Sequence, residues 1–204
     1  PRMVFGPTLP LGTESLDEVL DIRVIADTVG DMATLPARLT VACPPGIVFF
    51  SAEIIEEGRR SLSKAASEVE YRVYVIRSPD LLPGEEEALV AFLKAEVGRF
   101  LDSDSFEVTV ERKDGAKVRD AREQVLALDL DDQVRPAHAF SYAGEALCSV
   151  RVTQNLKPSP SVRPAELVAT LLGDRARFVD LEVVRSAVTL QEKKPAPPQV
   201  AAVG

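Results

Sequence analysis

The 204-residue chain carries 24 Lys and Arg against 32 Asp and Glu, a net charge of −8, and 46% of it is apolar. That apolar content suffices for a core in one large domain or two small ones, while the negative charge disfavours broad binding to phosphate backbones. Aromatics total 5% with no Trp, which argues against a surface of several base-stacking rings, and no apolar run approaches the ~20 residues that span a bilayer. With no signal peptide either, a cytoplasmic protein is expected.

The chain opens at Pro1-Arg2-Met3-Val4-Phe5 with no initiator Met. It reads as starting inside a strand, as a fragment would. Gly6 to Gly12 is rich in Pro and Gly and cannot continue a ladder. Leu20 to Ile25 alternates and predicts a half-buried strand. Thr34 as N-cap and Pro36 in the first turn predict a short helix that buries Leu35, Leu39 and Ala42 and stops at Pro44-Pro45-Gly46. Ile47 to Ile55, β-branched and aromatic, predicts a strand. The polar stretch from Glu56 to Ser67 is the expected link between two halves.

Beyond it, Val69 to Arg77 predicts a strand with Tyr71, Val73 and Val75 on one face. Glu85 to Leu101 predicts the longest helix, with Leu89, Phe92, Leu93, Val97 and Phe100 on one stripe and three Glu at its N-terminus. Phe106 to Glu111 alternates into Asp114-Gly115, a hairpin turn signal. Leu126 to Leu130 and Leu147 to Thr153 predict strands, Pro158 to Pro160 a loop, Pro164 to Leu172 a helix and Phe178 to Val188 a last strand. The tail from Gln191 has no periodicity and reads as disordered.

A weak internal repeat appears at an offset of 128 residues: Ile22-Arg23-Val24 aligns with Val150-Arg151-Val152, Pro36-Ala37 with Pro164-Ala165, Leu39 with Leu167 and Phe50 with Phe178. A true duplication predicts an α+β fold of two ferredoxin-like (βαββαβ) halves with antiparallel sheets, the first incomplete. The boundaries are 1–58 for the incomplete half, 59–68 for a linker, 69–190 for the second half and 191–204 for the tail.

Several segments are similar to the radical SAM-linked protein family, whose members are found beside or fused to radical SAM proteins. Pro1 to Ser15 resembles its PRM-x-F-x-x-x-LPLG-x-ES stretch, and Pro44-Pro45-Gly46-Ile47 its helix exit. Lys117-Val118-Arg119-Asp120-Ala121-Arg122 resembles its K-x-x-D-x-R element, Val162-Arg163-Pro164 with Leu167 its R-P-x-x-L helix start, and Val184-Arg185-Ser186 its closing strand. The resemblance covers roughly Pro1 to Leu190 and implies a family Ser-His-Leu-Asp motif upstream of Pro1. It also implies a radical SAM protein as partner, with any iron–sulfur cluster and S-adenosylmethionine held there. No activity transfers with it.

Candidate site residues are mostly basic. Lys117 and Arg122, with Asp120 orienting the guanidinium, suit an anionic ligand if Asp120 and Arg122 share a strand face; a solvated edge strand with a local ion pair is the alternative. Arg163 precedes Pro164 at a helix N-terminus, where free N–H groups welcome anions. Arg185, flanked by Val183 and Val184, needs a partner if buried, with Glu182 or Asp120 the candidates. Arg2 completes the anion- and substrate-binding set.

Other chemistry finds little support. His138 has no nucleophile or carboxylate partner in sequence, and Asp129, Asp131 and Asp132 lack EF-hand spacing. Phosphate loops, GxSxG and HExxH are absent. One His and two separate cysteines, Cys43 and Cys148, leave no zinc or cluster set and read as reduced thiols.

The expected function is therefore an accessory or substrate-binding domain, with RNA modification one candidate process despite the charge. An enzyme completed by the upstream segment and a pure interaction domain are the rivals. Whether the chain is an enzyme stays open.

Overall fold

The computed structural model describes residues 2–25, 29–55, 61–113, 115–132, 145–157 and 162–191. His138, the Pro158–Pro160 loop and the tail beyond Gln191 lie outside these residues. The fold is mixed α+β with antiparallel and mixed sheets.

Its centre is a five-stranded sheet. Strand β1 (Arg2–Phe5) and β3 (Leu20–Arg23) stand apart as an antiparallel ribbon, whereas β2 (Thr13–Ser15) joins the large sheet. After helix α1 (Leu35–Ala42) and the single helical turn α2 (Leu62–Ala65) come β4 (Ala66–Arg77), α3 (Glu86–Asp102) and the hairpin β5 (Glu107–Arg112) and β6 (Gly115–Asp120). Then follow β7 (Val125–Asp131), β8 (Ala146–Asn155), α4 (Pro164–Leu172) and β9 (Val179–Leu190). The sheet order is β2-β9-β4-β8-β7; β2 runs parallel to β9 and every other neighbour is antiparallel.

Hydrophobic periodicity explains the core. Val69, Tyr71, Val73 and Val75 alternate along β4 onto one face, where α3 and α4 cover them. Leu89, Leu93, Val97 and Phe100 recur every three to four residues on α3 and bury against that face. Phe92, expected on the stripe, sits at its edge, half-buried under the Arg175 guanidinium at 3.7 Å. Pro164 opens α4, and Gly173 closes it with φ +56°, a left-handed conformation that favours glycine. Gly115, at φ +107°, likewise lets the chain reverse between β5 and β6, as the Asp-Gly signal predicts.

The first quarter departs from expectation. The strand predicted for Ile47–Ile55 is absent: these residues have no regular structure, and Phe50 is 82% exposed. Strand propensity needs a neighbouring ladder and a face to pack on, and this stretch has neither. Helix α1 forms where predicted, yet it buries nothing; Leu35 and Leu39 are half-buried and Ala42 is exposed. Thr34 already adopts helical angles, and its hydroxyl donates to the Asp31 carbonyl instead of capping the helix.

The internal repeat therefore loses its third element. From β4 to β9 the chain runs β-α-β-β-α-β around the inserted β5–β6 hairpin. Residues 2–55 make no matching sheet among the described residues. Within the stretch expected as linker, α2 forms at Leu62–Ala65 and β4 begins at Ala66. All buried apolar residues described lie at Leu62 or beyond. No described helix is long and apolar enough to cross a membrane.

The contrast is measurable in urea. Leu93→Ala, at a fully buried site, should cost about 2–5 kcal/mol, and Val41→Ala on exposed α1 less than about 0.5 kcal/mol. Equal costs would contradict a core confined to the later strands and helices.

Candidate functional site

Arg185 lies on β9, fully buried, facing the same side of the sheet as Tyr71 and Val183. Its partner is neither Glu182 nor Asp120 but Glu18, in the loop between β2 and β3. Nε donates to Glu18 Oε1 at 3.0 Å, Nη2 meets the same oxygen, and Nη1 donates to the Pro7 carbonyl at 3.0 Å. Leu16 N–H donates to the Arg185 carbonyl (2.9 Å), and Val188 N–H to Asp17 Oδ2 (2.9 Å). Burial pushes the neighbouring Tyr71 phenol up, against the downward pull of the Arg185 charge. This guanidinium fastens the N-terminal segment to the sheet.

Asp120 is also engaged structurally. Strand β6 ends there and Ala121–Glu123 is a 3₁₀ turn, so two-residue alternation does not carry Asp120 and Arg122 onto one face. Asp120 Oδ1 accepts from Phe106 N–H and Arg122 N–H, both at 2.9 Å, as the N-cap of that turn. The Phe106 N–H above all holds the carboxyl below its ordinary value, with Ser105, the Arg122 N–H and the Arg122 charge acting in the same direction and partial burial opposing. Arg122 lays its guanidinium 5.0 Å from the centre of the Phe100 ring.

Arg163 is exposed at the N-terminus of α4, where an anion is indeed held, but it belongs to the helix. Arg163 N–H donates to Glu166 Oε2 at 2.9 Å, and Glu166 makes a bidentate pair with Arg112 at 2.6 and 3.1 Å. Lys117 is exposed on β6. Arg2 stands opposite Arg23 in the β1–β3 register.

Lys117 and Asp120 lie on β6 and Arg122 in the turn after it, while the Arg163 N–H is bound to Glu166 and the Arg185 guanidinium to Glu18 and Pro7. Asp129, Asp131 and Asp132 face Arg151 (2.7 Å), Arg72 (3.4 Å) and Lys94 (3.7 Å) in turn, and no metal-holding group occurs among the described residues. A shallow groove of about 430 Å³ runs beside α3, bordered by Glu86, Glu87, Val90, Lys94, Asp132 and Leu147, and none of the expected site residues lines it. Cys43 and Cys148 are both free thiols; burial, aided by the Asp132 charge, pushes Cys148 up to about 12, so it stays protonated.

Residues 1–159 match the model of the family described as "Uncharacterized protein conserved in bacteria (DUF2344)". The chain belongs to DUF2344. No curated protein and no solved structure matches it. The DUF2344 match takes in Glu18, Lys117, Asp120 and Arg122, while Arg163 and Arg185 follow it. Sequence reasoning missed Glu18 and the Arg112–Glu166 pair, for which no local pattern exists.

The Asp120 cap has a defined pH signature. Its folded pKa is depressed, so its stabilisation is complete above the ordinary Asp value of ~3.9 and is lost as pH falls through the folded value. Asp120→Ala should cost about 1 kcal/mol at neutral pH, a deficit that shrinks below pH ~3.9. Urea midpoints across the acid range test this; a deficit independent of pH would contradict it.

Proposed function

We propose that this DUF2344 chain is a non-catalytic accessory or substrate-binding domain that works in the cytoplasm beside a radical SAM protein. The observation that supports it best is the surface of residues 2–55. On the β1–β3 ribbon, Met3, Phe5, Leu20 and Ile22 share one face by register, and Phe5 is 67% exposed. Val24, Ile25, Val41, Phe50 and Ile54 are exposed as well.

Large apolar side chains concentrated in one segment favour a protein interface over a free surface. The motif from Pro1 to Ser15 that resembles the radical SAM-linked family falls in that same segment. On this reading any iron–sulfur cluster and S-adenosylmethionine belong to the partner. Residues 69–190 are read as a ferredoxin-like unit that faces the shared substrate, and RNA is the candidate to test first.

Co-purification of the tagged full-length protein, asking whether a radical SAM protein comes with it, tests the reading. The partner should be retained by the native chain and lost from Phe5→Glu and Ile25→Glu variants that fold normally; absence of any retention would sink it. For RNA, binding of tRNA that weakens as salt rises is expected, and no binding at low salt would remove RNA from the account.

A further inference from the structure

The five-stranded sheet ends in two edges of different kinds. One is β2, three residues long. The other is β7, seven residues long, and among the described residues no strand lies along its outer side. A bare edge is a row of backbone donors and acceptors that templates another strand, and folds protect such edges with short strands, with Pro or with charges. β2 is short, but β7 contains no Pro, Lys or Arg.

The charges that β7 does carry are matched from behind. Asp129 Oδ2 meets Arg151 of β8 at 2.7 Å, and Asp131 Oδ2 meets Arg72 of β4 at 3.4 Å. The repulsion that two acidic edges would feel is therefore weakened at its source. Leu126, 51% exposed, and the exposed Ala127 add apolar surface to the same edge. The register shift against β8 lies between Val125 and Ala127, so the ladder from Ala127 to Asp131 is regular. There Leu128 and Leu130 stand opposite the buried Val152 and Val150, while Ala127, Asp129 and Asp131 alternate onto the opposite face.

This pattern is self-complementary in one register. An antiparallel pairing about a two-fold axis at Leu128 sets Ala127 opposite Asp129 of the second copy, and no carboxylate directly faces another. An axis at Asp129 would set Asp129 against itself, and one at Leu130 would set Asp129 against Asp131. We infer that β7 pairs with β7 of a second copy of this chain, antiparallel about Leu128, joining the two five-stranded sheets into one. This surface is separate from the apolar one of residues 2–55, and the pairing needs no radical SAM protein.

A strand-to-strand contact lies at the small end of interface sizes, so the dimer should dissociate on dilution. Sedimentation velocity of the full-length protein from roughly 1 µM to 1 mM should show monomer giving way to dimer. Ala127→Asp sets like charges opposite each other at two symmetry-related places and should weaken the dimer roughly two- to thirtyfold. Ala127→Lys, facing Asp129 of the second copy, should tighten it by a similar factor. Ala127 is exposed, so both variants keep the fold, and Phe5→Glu should leave the dimer unchanged. A native protein that stays monomeric throughout overturns the proposal. So does a dimer that Phe5→Glu dissolves, or one that Ala127→Asp and Ala127→Lys affect alike.

Discussion

Arg185 and Glu18, 167 residues apart in sequence, hold together two parts of the molecule built on different physics. From Leu62 onward the chain is a conventional core: β-branched strands on one face and amphipathic helices over them. Before Leu62 no described residue is buried, and an isolated two-stranded ribbon and an eight-residue helix are marginal in water. The early segment therefore depends on its attachment. The buried guanidinium, the Pro7 carbonyl, the short parallel strand β2 and the Asp17 carboxylate supply that attachment within a few residues.

The same arrangement explains why the charges expected to bind ligands divide as they do. A guanidinium shut into the sheet needs a carboxylate, and Glu18 provides it; a helix N-terminus needs an anion, and Glu166 provides it. Asp120 is spent on backbone N–H groups that the end of β6 would otherwise leave unmet. The apolar surface of residues 2–55 is a chemically different feature.

Much of the core was legible in the sequence because each of its elements carries its own period. Leu89, Leu93, Val97 and Phe100 announce α3, Tyr71, Val73 and Val75 announce β4, and Asp114-Gly115 marks the hairpin. Ile47–Ile55 misled because its composition signals strand while no ladder is within reach. Thr34 and Pro36 mark α1 correctly but say nothing about whether a core lies beneath it. At the candidate site, alternation was carried one step too far, across Asp120 into a 3₁₀ turn, so Asp120 and Arg122 do not share a strand face. The partner of Arg185 was illegible: a contact across so much chain leaves no trace in local spacing.

Amide hydrogen exchange in Arg185→Met tests the anchor most directly. Removing one partner of a buried ion pair costs about 3–5 kcal/mol, and the low end applies because Glu18 is 46% exposed. The account predicts that the amides of Gly6, Leu16 and Val188 lose protection while those of Val73 and Val150, in the central strands, keep theirs. Protection unchanged at Leu16, or lost uniformly across the sheet, would contradict it.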